Sequence, residues 1–95
     1  MSRVKSVEVD LREVENSVGL HETLRDALGF PGWYGCNWDA FWDSITGLVE
    51  MPETLRLLGW FEFQQRLPRD AELMRSCLVE MTNRYPQSAS SVIYE

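Results

Sequence analysis

No run of this sequence approaches the roughly 18 consecutive apolar residues a membrane-spanning helix requires, so no such helix is expected. Histidine is nearly missing, with one residue, and cysteine is limited to Cys36 and Cys77. Neither CxxC nor HExxH spacing occurs, which leaves little for a zinc site. Two cysteines could form one bridge at most, so reduced thiols in a cytoplasm are the simpler expectation. The basic residues of MSRVKSVEVDL are not followed by the apolar stretch of about 7 to 15 residues that marks a secretory leader, and export is not expected. Bases are also scarce: 9 Lys and Arg stand against 15 Asp and Glu, giving a net charge of -6. A protein that grips nucleic acid by its phosphates has the opposite balance, so no direct nucleic-acid partner is expected and a charged partner would be basic.

What is present suits one small globular domain spanning residues 1–95, with 44% hydrophobic and 25% charged residues. Val4, Val7, Val9 and Leu11, separated by mostly charged residues, predict a strand from about Val4 to Asp10. Leu20, Leu24, Ala27 and Leu28 share one helix face, and Gly29 and Pro31 stop that helix. Asn37 is placed to accept the free N–H groups at the start of a second helix, whose apolar residues Trp38, Phe41, Ile45, Leu48 and Val49 repeat until Pro52. Thr54 to Leu58 fits a short buried strand or a helical turn. A short helix within Gly59 to Leu67 carries Trp60, Phe61 and Phe63, all assigned to the core. A longer one follows Pro68, with Met74, Cys77, Leu78, Met81 and Tyr85 as its stripe, and ends before Pro86. Ala89 to Tyr94 predicts a final strand. Strands separated by helices imply crossover connections, hence an α/β fold: a small three-stranded parallel sheet packed with about four helices.

The unusual stretch lies between Arg25 and Arg56, where there is no Lys or Arg but there are Asp26, Asp39, Asp43, Glu50 and Glu53. Six of the aromatics, Phe30, Trp33, Tyr34, Trp38, Phe41 and Trp42, fall in the same region. On the second helix Asp39 and Asp43 are i and i+4, so they project from one face with Trp42 adjoining. A like-charged pair at this spacing costs an isolated helix roughly 0.2 to 0.5 kcal/mol. Asp39, in the first turn, recovers some of this from the macrodipole; Asp43 recovers less.

A solvated helix face would explain the pair without function. Acid/base chemistry by two carboxylates needs a cleft that raises one pKa, which a surface helix on so small a domain hardly offers. A divalent cation needs several oxygen ligands, and no EF-hand loop is present. His21 and Cys36 as base and nucleophile belong to different elements with no evident third orienting group. A protein-binding face aimed at a basic cleft uses every odd feature at once, because carboxylates beside aromatic rings imitate the phosphates and bases of a nucleic acid. The expectation is therefore a binding protein with no catalytic residues, no metal and no cofactor.

The segment LHETLRDALGFPGWYGCNWDAFWDSITGLVEMP, Leu20 to Pro52, resembles the barstar family of ribonuclease inhibitors. The resemblance rests on the L-H-x-T-L helix, the G-x-N-x-D-A-x-W-D core at Gly35 to Asp43, and the T-G-x-V-E helix end at Thr46 to Glu50. It implies a cytoplasmic, monomeric inhibitor that binds a secreted-type, barnase-like ribonuclease one-to-one, or else a module binding a different basic toxin or regulatory protein. By position it implies Asp43 as the principal anion entering the nuclease phosphate site, Asp39 as a second acid, and Trp42 packed between them at the interface. Trp33 would be an aromatic contact in the loop, where the family's best-known member has Tyr. Gly35, Asn37, Thr46 and Trp38 would line the same surface, with Glu80 as a remote acidic contact. Two positions depart from that member: Cys36 stands where it has an acid, and Leu48 where it has a tryptophan.

Overall fold

A computed structural model describes residues 3–95. Met1 and Ser2, part of the single domain expected over 1–95 and of the N-terminal stretch read for a leader, lie outside the described residues. The chain runs β1 (Ser6–Asp10), α1 (Ser17–Leu28), α2 (Trp38–Asp43), a π-helical turn (Ser44–Leu48), β2 (Thr54–Leu58), α3 (Trp60–Arg66), α4 (Pro68–Arg84) and β3 (Ser91–Tyr94). The fold is the expected one, a three-stranded parallel sheet with four α-helices.

The sheet order is β1-β2-β3, so the ambiguous TLRLL segment is the central strand. Leu55 pairs with Val7 on one side and Val92 on the other, and Leu57 with Val9 and Tyr94. These residues point to the helices, following the period of two that places alternate side chains on one face. Glu8 and Arg56 point the other way and form an ion pair across the strands, and Arg56 also bonds Glu95. At the end of β1, three hydrogen bonds from Arg12, two from its side chain and one from its backbone, hold the Asp10 pKa down at about 2.

Each helix starts or stops for a local reason. Asn16 caps α1 by accepting the Gly19 N–H at 2.8 Å, and Gly29, at φ 74°, closes it while its own N–H reaches Arg25 O. Gly59 is also left-handed, and a Cβ there would come within 2.6 Å of the Arg12 side chain. Pro68 sits in the first turn of α4, where its missing N–H costs nothing. The core joins Val9, Leu55 and Leu57 of the sheet to Leu20, Leu24, Phe41, Phe63, Met74 and Met81 of the helices.

The structure differs from the sequence expectation in the geometry of the second helix and at several exposed apolar positions, Val4 and the α4-stripe residue Tyr85 among them. Phe61, assigned to the core, is 58% exposed, because only Trp60 and Phe63 of so short a helix can face inward. The second helix does not continue in α geometry to Val49: from Ser44 it widens into a π turn closed by Val49 N–H to Ser44 O, 3.1 Å. Thr46 donates its hydroxyl back to Trp42 O at 2.6 Å and Gly47 is a weak helix former, so both favour departure from the α form. The wider turn takes Leu48 out of the apolar stripe, leaving it 48% exposed.

Candidate functional site: an acidic and aromatic face

The loop between α1 and α2 presents one aromatic ring and buries the next. Tyr34 N–H bonds Pro31 O at 3.0 Å, closing a four-residue turn that leaves Trp33 74% exposed and sends Tyr34 inward. Inside, the Tyr34 hydroxyl lies 2.7 Å from His21 Nδ1, and both rings are buried. Burial lowers the His21 pKa, against a smaller opposing effect of Asp70, and burial raises that of Tyr34. A neutral imidazole and a protonated phenol are therefore favoured together, with the phenol donating to Nδ1.

Trp38 completes this frame. Its ring is 4.4 Å from that of His21, and its Nε1–H donates to Asp70 Oδ1 at 3.0 Å. Ser17 Oγ lies 3.3 Å from the same carboxylate oxygen. Side chains of α1, the loop, α2 and α4 thus meet behind the face. Trp38 is half-buried within that frame.

At the front, Asn37 caps α2 as expected. Its Oδ1 accepts the Ala40 N–H at 2.7 Å, while its Nδ2 donates to Gly35 O at 3.2 Å, tying the loop to the helix it starts. Between them Cys36 takes φ 52°, a conformation uncommon outside glycine. Cys36 and Cys77 are both free thiols.

Asp39 and Asp43 are exposed, and among the described residues neither belongs to an ion pair. Beside Asp43 is a groove of about 310 Å³ whose walls include Trp33, Gly35, Ala40, Gly47 and Leu48. Leu48 lines this groove, as its place in the region implied by the resemblance suggested, although helical periodicity had put it on the apolar stripe. Thr46 is half-buried. No group of three or more His, Cys, Asp or Glu residues suited to a metal occurs among the described residues, so Asp39 and Asp43 have no third acidic ligand there.

Trp42 turns toward the end of α4. It is half-buried, with the Tyr85 ring centred 6.4 Å away and the Arg84 guanidinium carbon 5.8 Å from its own centroid. Glu80, one turn back along α4, lies 3.9 Å from Arg84. The structure therefore brings Trp33, Gly35, Asn37 and Asp43 together around the loop and α2, and links Trp42 through Arg84 to Glu80. Arg84 was not singled out from the sequence because its meeting with Trp42 is tertiary. Tyr34 and Asp70 escaped for the same reason.

The family model described as Barstar (barnase inhibitor) matches residues 4–94, nearly the whole chain. The chain belongs to the barstar family. A protein of Bacillus subtilis (strain 168), named "Putative ribonuclease inhibitor YrdF", is 47% identical over 60 residues. That alignment covers 63% of this chain and 65% of the relative, just under two thirds of the latter's length. Within this barstar-family chain, the loop and second helix carrying the resemblance are the same elements that present the unpaired acids and the exposed Trp33.

Proposed function

We propose that this barstar-family chain is a cytoplasmic protein inhibitor that binds a barnase-like, secreted-type ribonuclease one-to-one and is not itself an enzyme. The observation that carries the reading is the exposed Asp39 and Asp43 pair, unrelieved by any ion pair among the described residues, beside a preformed groove walled by Trp33 and Leu48. Unpaired acids invite bases from a partner, and complementary potentials guide encounter and orientation. Asp43 occupies the position of a phosphate in the nuclease cleft, and Asp39 contacts its bases. Trp33 stacks on the partner, Gly35 and Thr46 border the contact, and Glu80 meets it at the α4 edge. Asn37, at the front, ties the loop to the helix beside the contact, and Trp38 supports the helix from behind. The family assignment and the name of the Bacillus relative support this reading.

The test is RNA cleavage by a barnase-like ribonuclease titrated with the protein and with Asp43→Ala. The unaltered protein should abolish cleavage at one equivalent. Asp43→Ala should bind more weakly by about 2 to 5 kcal/mol, a range to which the barnase–barstar complex itself contributes. Its thermal midpoint should be equal or slightly higher, since a like-charged pair is removed. Cleavage undiminished by the unaltered protein would exclude this target.

A further inference from the structure

One guanidinium lies against the face. Arg84 ends α4, and its guanidinium carbon is 5.8 Å from the centroid of Trp42 and 5.8 Å from that of Tyr85. The cation is thus laid over two π-faces at the edge of the helix that bears Asp39 and Asp43, and this attraction holds it there. Its one carboxylate within 4 Å among the described residues is Glu80, at 3.9 Å. That separation exceeds hydrogen-bond length, and both side chains are more than half exposed, so the pair contributes little. The planar group is positioned by rings rather than by an acid, and its N–H donors remain open to an incoming acceptor.

We propose that Arg84 is a specificity-determining residue that receives a carboxylate of the ribonuclease, so the surface recognised is a cluster of bases bordered by an acid. The proposal rests on the inhibitor reading above and adds the second half of the charge pattern. A base opposite Arg84 would meet like charge in a partly desolvated setting, which selects against ribonucleases whose whole rim is basic. A carboxylate there meets a planar fork able to form two parallel hydrogen bonds.

Charge reversal separates this role from general electrostatic attraction. Arg84→Glu takes the net charge from -6 to about -8, so steering toward a basic partner alone would make association faster and the complex tighter. Direct pairing with a carboxylate requires the opposite sign. Binding to a barnase-like ribonuclease should be measured for the unaltered protein, Arg84→Glu, Arg84→Gln, Arg84→Lys and Asp43→Ala, with the thermal midpoint of each. Arg84→Glu should weaken the complex about tenfold or more, mainly by faster dissociation, and Arg84→Gln about fivefold. Arg84→Lys should recover part of the loss, since it keeps the charge without the fork. An Arg84→Glu complex as tight as the original, or tighter, overturns the role of Arg84 while a retained loss in Asp43→Ala leaves the inhibitor reading standing. Equal weakening by Glu and Gln together with a lowered midpoint would make Arg84 a prop for Trp42 and also overturn it. If the unaltered protein does not bind, or Asp43→Ala binds undiminished, the inhibitor reading fails and takes this proposal with it.

Discussion

His21 shows how one side chain couples the stability of the frame to pH. Its pKa is lowered chiefly by burial, with Asp70 opposing, so the folded protein holds it neutral where the unfolded chain would protonate it. Between the lowered folded value and the ordinary value near 6.5, the unfolded state binds the extra proton, and stability therefore rises with pH. The contribution is complete above the unfolded value and is lost as the pH falls through this window. Protonation would also leave the Tyr34 hydroxyl proton without its acceptor. Urea midpoints at pH 7.5 and 5.5 should differ more for the unaltered protein than for His21→Gln. Equal differences would assign the acid sensitivity to other groups. Tyr34→Phe should cost about 1 to 3 kcal/mol at neutral pH, because it strands a buried ring nitrogen. A loss well below that would mean that water replaces the hydroxyl.

Among the elements, those bounded by local chemistry were legible and those shaped by packing were not. Asn37 caps α2 because an Asn ahead of an apolar repeat can accept a free N–H, a reading that needs no tertiary information. Asn37→Ala should therefore destabilise the protein by about 0.5 to 2 kcal/mol and loosen Gly35, which the same side chain holds. Affinity for the ribonuclease should fall with it even though Asn37 need not touch the partner; unchanged stability in a melting experiment would contradict the cap's contribution. The π turn was not legible, since the Ile45, Leu48, Val49 spacing suits an α-helix. Only the Thr46 back-bond and the position of Gly47 reveal why the helix widens there. The central place of β2 was equally hidden, because a short apolar run has no period that separates strand from helix.

At the scale of the whole molecule, the Cα radius of gyration is 12.3 Å, which gives a compact body carrying a net charge of -6. Within the 26–55 segment, which lacks any base, Asp39, Asp43, Glu50 and Glu53 belong to no ion pair among the described residues. Association with a basic ribonuclease should consequently be steered over distances comparable to the Debye length, about 10 Å at 0.1 M salt. Stopped-flow rate constants should fall by roughly tenfold or more between 10 mM and 500 mM NaCl, while dissociation changes much less. A rate constant flat across that range would show that the acidic face does not guide encounter.

The order of the helices and the two outer strands, the cap at Asn37, and the acids Asp39 and Asp43 on one helix face followed from the sequence, because periodicity, capping and charge spacing are local properties of the chain. The half-buried setting of Trp38, the exposure of Leu48 and Phe61, and the stacking of Arg84 on Trp42 were decided by the tertiary structure. Each depends on how a helix is rotated and what it meets across the core, and residues as far apart in the chain as Trp42 and Arg84 carry no local signal of their contact.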